Sequence, residues 1–334
     1  MAIRDDPARR KMLGILAGSW LAQGCYALAR LGIADAIGDG EASAASLAAA
    51  TGTDPVALGR LLRALAVAGL LRQPEPGRFA LTPASRLLRR SVEGSVHLNA
   101  LMQGDEVFRA FAEITHTLRT GEPAFTKVYG QPFYDYLEAN PEAARTFHES
   151  MGDQPVPGGL DAMSLDGIGT LVDVGGGDGT LLHSVLAAQP GLRGVLFDLP
   201  EAVAVARRSP VAALGDRVSF VEGSFFDGVP SGGDAYVLSR VLHNWRDEQA
   251  VGILRRVRMA AAPGVRLIVL EEFLPADGGG APGAGIVDLL MLVTLEGRDR
   301  TMAEYVALVE RAGFVQVTAR EAGDRTGVVE AVVP

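Results

Sequence analysis

LVDVGGGDGT, from Leu171 to Thr180, is the stretch that decides the fold of this 334-residue chain. A mostly apolar run leads into three glycines, and a helical pattern begins at Thr180. This order predicts a strand, a tight turn and a helix. Glycine has no Cβ and tolerates a positive φ, so such a turn lets backbone N–H groups approach a ligand closely.

Two acidic residues stand at the ends of successive predicted strands, Asp173 in the quoted stretch and Asp198 after an apolar run from Gly194. Asp173 would repel a pyrophosphate but would attract a cationic amino acid. Asp198 can accept hydrogen bonds from both hydroxyls of a ribose. The pair therefore favours a nucleoside that carries a positively charged amino acid over a dinucleotide.

Strands and helices alternate through the second half of the chain, which predicts a doubly wound parallel sheet of the α/β class. The predicted strands lie at about 170–175, 193–198, 217–222, 233–239 and 265–271, with helices such as 179–189 and 247–261. The rhythm changes at the end. A helix at 302–312 precedes strands at 314–319 and 326–332, and a turn at Gly323-Asp324 predicts a terminal hairpin.

The first part of the chain predicts a winged-helix domain. Apolar residues recur at helical spacing over 8–38, Ser43 caps a short helix, and Asp54 starts another that runs to Leu71. The segment RQPEPGRFALT that follows, with two prolines and a glycine, predicts a β-wing. A long helical pattern covers 94–119.

These patterns predict three segments. Residues 1–93 form a winged-helix-like domain, 94–158 a helical linker that supplies part of a substrate pocket, and 159–334 the catalytic domain. Apolar residues on more than one face of the first helices predict that residues 1–93 pair two copies of the chain.

Composition narrows the classes of partner. The net charge of −9 argues against nucleic acid, although residues 1–90 carry 12 Lys and Arg against 7 Asp and Glu. The opening MAIRDDPARRK is too charged for a signal peptide, and no apolar run approaches the ~20 residues of a membrane span. The single cysteine, Cys25, cannot form an internal disulfide, which favours a reducing compartment. We therefore expect a cytoplasmic protein with no membrane partner.

Five motifs in order carry a resemblance to a known family: the glycine turn, FDLP at Phe197, GSFF at Gly223, LHNW at Leu242 and GRDRT at Gly297. Together they resemble the S-adenosylmethionine-dependent small-molecule O-methyltransferases of the plant caffeate and bacterial aromatic-polyketide types. The resemblance covers nearly the whole chain. The run GSWLAQGCYALARLGIADAI is similar to the opening of bacterial members that act on phenazine and polyketide acids.

The resemblance implies a Rossmann-like methyltransferase sheet with an antiparallel terminal hairpin and a winged-helix dimerisation domain. It also implies S-adenosyl-L-methionine as the cofactor, S-adenosyl-L-homocysteine as its product and no metal. If such a dimer exchanges its first helix, Trp20 enters the partner's pocket.

A phenol with a pKa of ~10 is mostly protonated at neutral pH, so a base near the acceptor oxygen is valuable. His243 follows an apolar strand and matches the catalytic base of the family. Glu271 and Asp299 match the two acids that support this base. Asp299 stands where glutamate is usual and Asn244 where aspartate is common, so the shorter Asp299 is expected to hold the ring more loosely.

The resemblance assigns the donor site residue by residue. Gly175 and Gly177 face the methionine part, and GSFF contacts adenine. Ser239 replaces a common lysine, so neighbouring Arg240 is expected to serve the methionine carboxylate. The predicted cofactor-binding residues are Asp173, Gly175, Gly177, Asp198, Leu199, Ser224, Phe225, Phe226, Ser239 and Arg240.

The acceptor pocket is expected to use the aromatic segment 129–151 and the helix around Met291. Such a lining suits a flat aromatic acceptor, a hydroxylated bicyclic acid of naphthoate-like or phenazine-like type. The predicted substrate residues are Phe147, Met151, Asn244, Asp288 and Met291.

The first reading is O-methyl transfer to a phenolic hydroxyl of an aromatic secondary metabolite. N- or carboxyl-methylation stays open, as does hydroxylation or decarboxylation by an S-adenosylmethionine-binding relative. A nicotinamide-dependent oxidoreductase is opposed by Gly175, Gly177 and Gly179, which give GxGxG where GxGxxG is needed. A DNA-binding regulator is opposed by a candidate recognition helix with only Arg60 and Arg63 as basic residues.

Overall fold

A computed structural model describes residues 6–152, 160–275, 285–322 and 326–334 of the chain. The chain divides into two compact units, Met1–Phe108 and Arg109–Pro334. This division follows packing alone, and the three functional segments predicted from the sequence stay a prediction. The predicted turn at Gly323-Asp324 lies outside the described residues.

The first unit combines helices with a small antiparallel sheet. Its helices are α1 Pro7–Arg30, α2 Ile33–Ile37, α3 Ala44–Thr51, α4 Pro55–Val67, α5 Pro83–Arg86 and α6 His97–Met102, followed by a π-helical turn at Gln103–Val107. Its strands are β1 Glu41–Ser43, β2 Leu71–Glu75 and β3 Arg78–Leu81, in the order β1-β3-β2. The hairpin of β2 and β3 is the wing that the sequence predicts, and it follows α3 and α4 directly.

Side-chain caps begin the helices of this unit where the sequence predicts. Ser43 Oγ accepts a hydrogen bond from Ser46 N at 3.1 Å and so opens α3. Asp54 Oδ1 accepts from Val56 N at 3.0 Å and from Ala57 N at 2.7 Å and opens α4. Each cap satisfies backbone donors that the first helical turn leaves without a partner.

Two predicted helices end earlier than the sequence indicated. The pattern over 8–38 is not one helix, because the chain turns at Gly32 with a φ of +67° between α1 and α2. The helix predicted to reach Leu71 ends at Val67, and Leu71 instead begins β2. Gly69, with a φ of +78°, makes the left-handed turn that ends this helix.

The outer surface of α1 is apolar. Its exposed apolar side chains are Met12, Leu13, Ile15, Leu16, Trp20 and Leu21, with Trp20 77% exposed. Among the described residues, α1 alone is long and apolar enough to span a membrane by length and composition. The expectation that no apolar run reaches that length was therefore wrong, although core helices of soluble proteins and signal sequences pass the same test.

Short helices follow where the first unit ends and the second begins: α7 Phe108–Phe111, α8 Ile114–Thr120, α9 Ala124–Tyr129, α10 Phe133–Ala139 and α11 Pro141–Gly152. The single helix predicted over 94–119 is wrong, since α6, the π-helical turn, α7 and α8 share this stretch. Gly104 lies in the π-helical turn, where its carbonyl accepts from Gln23 Nε2 at 2.8 Å. A Cβ on Gly104 would lie 2.3 Å from Tyr26 Cγ, so close packing against α1 accompanies the break.

The rest of the second unit is a seven-stranded sheet with helices on both faces, as predicted. The strands are β4 Thr170–Val174, β5 Arg193–Asp198, β6 Val218–Glu222, β7 Ala235–Ser239, β8 Arg266–Glu272, β9 Val315–Glu321 and β10 Thr326–Val332, in the order β6-β5-β4-β7-β8-β10-β9. The helices are α12 Thr180–Ala188, α13 Pro200–Ala206, α14 Asp247–Ala260, α15 Ile286–Thr294 and α16 Met302–Arg311.

Five strands run parallel, and β10 pairs antiparallel with both β8 and β9. Central strands read as continuous apolar runs because both of their faces are buried. Side chains of β4 alternate between two cores: Val172 and Val174 face the core that includes α14 and α16, and Leu171 faces the core that includes α12. The α/β class and the terminal antiparallel strands are therefore confirmed.

Candidate active site

The ends of the parallel strands meet at one edge of the large sheet. Asp173 lies near the end of β4, Asp198 ends β5, Ser239 ends β7, and Glu271 lies near the end of β8. The chain after β6 continues directly into Gly223 at the same edge. Doubly wound sheets bind ligands at this edge, so the fold brings these predicted residues to the expected place.

The turn after β4 requires glycine. Gly175 has a φ of +73°, and a Cβ on it would lie 2.8 Å from Val241 Cγ2. Gly177 has a φ of +59° and donates its N–H to Asp198 Oδ2 at 2.7 Å. The backbone here can approach a ligand as no other residue type would allow.

Asp173 is a buried acid whose second oxygen has no hydrogen-bond partner among the described residues. Burial raises the pKa of its carboxyl to about 8, and the charges of Asp198 and Asp178 add to the rise. A buried carboxyl with an unsatisfied oxygen is costly, and a cationic ligand group would satisfy it.

Asp198 is held by two backbone donors. Its Oδ2 accepts from Gly177 N and its Oδ1 from Leu199 N, both at 2.7 Å. Burial raises the pKa of Asp198 to about 6, while these two hydrogen bonds oppose the rise. Each carboxylate oxygen keeps a further lone pair, so the side chain can still accept from two ribose hydroxyls.

Aromatic rings gather beside the loop after β6. Trp245 lies edge-on to Phe225 and Phe226, with ring centres 5.8 and 4.7 Å away, and stacks on Tyr134 at 5.3 Å. Burial raises the pKa of Tyr134, and the charge of Asp198 adds to the rise. Such a group of rings can stack against a planar base.

Ser224 directs its hydroxyl to its own loop. Its Oγ accepts from Phe226 N at 3.2 Å, which fixes the loop that carries both phenylalanines. The hydroxyl retains a second lone pair, so it can still accept from an adenine amino group, and this role stays a prediction.

His243 faces two buried carboxylates from distant parts of the chain. Its Nδ1 lies 3.4 Å from Asp299 Oδ1 and 4.0 Å from Glu271 Oε2. Glu271 Oε1 accepts from Val241 N at 3.0 Å and Leu242 N at 2.7 Å, so this carboxylate also holds the turn before the histidine. The Asp299 contact is long for a hydrogen bond.

Opposing effects set the charge of this group. Burial lowers the pKa of His243, but Glu271 and the hydrogen bond to Asp299 together raise it above its ordinary value. Burial raises the pKa of Glu271, and His243 counteracts that rise. Nδ1 faces the acids, so Nε2 is the nitrogen left to accept a proton.

The turn between β7 and the histidine is unusual. Arg240 has a φ of +54°, in the left-handed region that residues with a Cβ rarely adopt. Its N–H donates to Leu270 O at 2.9 Å, and its carbonyl accepts from Asn244 Nδ2 at 3.2 Å. Its positive charge lowers the pKa of His243. Asn244, predicted to contact the acceptor, thus holds this turn.

The other predicted acceptor residues are only partly brought together. Asp288 Oδ1 accepts from Asp299 N at 2.9 Å, so it supports an acid of the His243 group. Phe147 packs against Tyr134, with ring centres 6.3 Å apart, beside the aromatic rings. Met291 is buried and Met151 is 37% exposed.

Sequence reasoning missed three side chains of this region. Tyr134 lay in the aromatic segment and Trp245 in the LHNW motif, but neither received a role. Arg300 lay in the GRDRT motif and received no role, yet its side chain is fully buried. The pattern GRDRT does not reveal which of its two arginines faces the interior. Within the described ranges, no group of three or more His, Cys, Asp or Glu side chains is placed to hold a metal ion.

Comparison with known proteins places these features in a family. A family model described as an O-methyltransferase domain matches residues 111–315, and one described as an O-methyltransferase dimerisation domain matches residues 13–91. The chain is 40% identical over 313 residues to a 3-amino-4-hydroxybenzoate 4-O-methyltransferase from Streptomyces cremeus, covering 92% of this chain and 86% of that protein. It is 38% identical over 330 residues to a phenazine O-methyltransferase from Lysobacter antibioticus, covering 97% and 96%.

A solved structure is similar to this chain in both fold and sequence. The O-methyltransferase NcsB1 from neocarzinostatin biosynthesis, in complex with S-adenosylmethionine and 2-hydroxy-5-methyl naphthoic acid, superposes with a TM-score of 0.81. It is 33% identical, and the match covers 94% of this chain and 96% of that one.

Proposed function

The chain belongs to the family of S-adenosylmethionine-dependent O-methyltransferases, and on that premise we propose that it methylates a phenolic hydroxyl of a bicyclic aromatic acid with His243 as the general base. The observation that carries the proposal is the His243 imidazole, held by two buried carboxylates beside the glycine turn. Bound S-adenosylmethionine supplies an electrophilic methyl group on a sulfonium.

The proposed roles follow from the chemistry of each side chain. Nε2 of His243 takes the phenolic proton as the acceptor oxygen attacks the methyl group. Asp299 and Glu271 hold the ring through Nδ1 and stabilise the imidazolium that forms. Because the proton leaves a neutral phenol for a neutral imidazole, the two buried acids offset the new positive charge.

The donor site is proposed from three features. Asp173 offers an unsatisfied buried oxygen to the donor's ammonium, and Asp198 offers lone pairs to the ribose. The rings of Trp245, Phe225 and Tyr134 suit the adenine. Gly175 leaves room for the methionine part, since any side chain there would meet Val241.

Donor affinity should depend on pH through Asp173. Burial raises the pKa of the Asp173 carboxyl to about 8, so below that pH the carboxyl is mostly protonated in the free protein. Binding an ammonium favours the carboxylate and releases a proton. Affinity should therefore rise with pH up to about 8, and then fall as the donor's amino group, with a pKa of ~7.7–8.0, loses its own proton. Calorimetry in buffers of different ionisation enthalpy measures both quantities.

The matched control for this test is Asp173→Asn, which keeps the shape of the side chain and removes its proton. We expect weaker binding of the donor and no rise of affinity between pH 6 and 8. Proton release that persists in the variant would assign the linkage to another group, with Asp198 as the next candidate.

The acceptor class rests on the aromatic lining and on the relatives. Phe147 and Tyr134 present ring faces and edges within the segment predicted to line the pocket, which suits a flat ring system. Transfer of a labelled methyl group to a panel of hydroxynaphthoic, hydroxyphenazine and monocyclic hydroxybenzoic acids tests it. Preference for monocyclic acids, or label on nitrogen or on the carboxyl group, would overturn the assignment of acceptor.

The same assay separates the other activities. Hydroxylation or decarboxylation would change the acceptor without incorporating label. The retained His243 with its two acids favours methyl transfer, since a general base that takes a phenolic proton serves that reaction directly.

Dimerisation through the first unit is the last part of the proposal. The apolar side chains of α1 need cover that a second copy of the dimerisation domain supplies. Leu16→Glu, at a position 62% exposed, should convert dimer to monomer at micromolar concentration in sedimentation equilibrium. The control is Met259→Glu, which places the same charge on a 71% exposed residue of the other unit. A Leu16→Glu protein that stays dimeric would contradict this interface.

A further inference from the structure

Arg300 carries a charged guanidinium that is fully buried, and burying a charge is costly. Its side chain is 0% exposed, and it is the largest fully buried side chain among the described residues. A buried guanidinium requires hydrogen-bond acceptors for its N–H groups, or it destabilises the fold by several kcal/mol. The acceptors it uses therefore show what this arginine organises.

Those acceptors lie on both sides of the candidate base. Nη1 donates to Leu242 O at 3.0 Å, and Nη2 donates to Trp245 O at 2.7 Å. Nε and Nη2 both donate to Asp247 Oδ1, at 2.9 and 2.7 Å. One planar group thus holds the carbonyl before His243, a carbonyl two residues after it, and the first residue of α14.

The same residue belongs to the segment that carries Asp299. The backbone of Arg300 pairs with Phe273, which extends β8, and its carbonyl accepts from Leu274 N at 3.0 Å. Because β8 carries Glu271, Arg300 joins the segments of all three members of the His243 group. Asp299 directly precedes Arg300 in the chain. The contacts of the guanidinium with the segment of His243 therefore help to set the distance between the Asp299 carboxylate and the His243 ring.

We propose that Arg300 is the positioning residue that holds His243 against Asp299. This proposal rests on the proposed function, in which His243 is the general base. A guanidinium is suited to this task because its five N–H groups lie in one fixed plane and reach several acceptors at once. A lysine ammonium is a point charge that cannot hold both carbonyls and the Asp247 carboxylate in one geometry.

The test measures the titration of the His243 ring by NMR in full-length, histidine-labelled protein, with the signal assigned by its loss in His243→Ala. In Arg300→Lys the ring should move away from Asp299, an acid that raises its pKa. The pKa should therefore fall, by roughly half a unit or more. In an Asp299→Asn background the same change should cause no further shift, because the partner is already lost.

The matched control is Arg266→Lys. Arg266 also donates to carbonyls, those of Ser164 and Asp166, but it begins β8 at the opposite edge of the sheet. We expect an unchanged His243 titration in this variant, whatever it does to stability.

If Arg300→Lys does not fold, Asp247→Ala carries the test, since the Asp247 side chain is 35% exposed and its removal takes away the oxygen that accepts from Nε and Nη2 of Arg300. The ring pKa should again fall, by less. A folded Arg300→Lys protein with a wild-type titration, or a wild-type titration in Asp247→Ala when the lysine variant is unfolded, overturns the proposal. Failure of the proposed function would be a different result. His243→Ala would keep normal turnover, while Arg300→Lys would still shift the titration of the His243 ring.

Discussion

A His243→Ala variant should bind the donor normally and lose ~10²–10⁴ in turnover. The reason is that a phenol with a pKa of ~10 holds its proton at neutral pH, and alanine offers nothing to take it. The ring of His243 contacts Asp299 and Glu271, whereas Asp198 is held by the backbone of Gly177 and Leu199, so removing the ring should leave the donor site in place. Single-turnover rates with labelled donor measure the chemical step directly.

The pH dependence distinguishes a base from a positioning group. In the wild type, His243 must be neutral to accept a proton, and its carboxylate partners raise its pKa. Activity should therefore rise with pH through that raised value. In His243→Ala the loss should shrink as pH approaches the pKa of the acceptor, because solvent then supplies the phenolate.

Two further variants rank the acids. Glu271→Gln retains a side-chain oxygen for the N–H groups of Val241 and Leu242, so the turn survives while the negative charge is lost. We expect a smaller loss of turnover than in His243→Ala. Asp299→Asn should also lower the pH at which activity appears, since one group that raises the pKa of the base is gone.

The control for the histidine prediction is His116→Ala. His116 lies on α8, outside the group around His243, and its removal should leave turnover unchanged. Near-normal turnover in His243→Ala at neutral pH defeats the assignment. A large loss that does not vary with pH would mean that the ring only positions the acceptor.

Gly297→Ala should be the most damaging change of a single methyl group near the site. A Cβ on Gly297 would lie 1.9 Å from His243 O, 2.3 Å from Asn244 C and 2.5 Å from Trp245 N. These are backbone atoms, which cannot rotate away as a side-chain end would. The two loops that hold His243 and Asp299 must then separate, and overpacking of this kind costs about 1–3 kcal/mol or more.

The loss of activity should exceed what stability alone explains. A misplacement of about 1 Å between reacting groups can cost on the order of 10²-fold in rate, and here the base itself would move. Turnover measured well below the unfolding temperature should therefore fall by on the order of 10²-fold in a protein that remains folded. Chemical denaturation measures the free energy of unfolding in the same preparation.

Gly252→Ala is the matched control for the glycine. It lies inside α14, and a Cβ there would meet nothing within 4 Å. Alanine favours the helix over glycine, so this variant should gain about 0.5–1 kcal/mol in stability and keep its turnover. Wild-type turnover and stability in Gly297→Ala would contradict this prediction. It would show that the two loops can separate without moving the base.

The sequence by itself determined the order of the secondary structure and indicated the sheet edge that carries the candidate site. Buried parallel strands must be apolar along their whole length, and helices between them must present one apolar face, so local patterns record this fold directly. The glycine turn and the caps at Ser43 and Asp54 were also readable, because each depends on backbone conformation within a few residues.

Helix boundaries were less secure where tertiary packing overrides local preference. The long helical pattern over 94–119 contains good helix formers, yet Gly104 packs against Tyr26 and the helix is interrupted by a π-helical turn. The break at Gly32 depended on one residue that a periodic pattern tolerates.

Only the tertiary structure decided how the candidate base is held. Asp299 lies 56 residues from His243 along the chain, and the 3.4 Å between them is set by how two loops pack. Arg298 and Arg300 are identical in type and two positions apart, but one is partly exposed and the other fully buried on Asp247. Burial and pairing of a side chain depend on elements distant in sequence, and no local period encodes them.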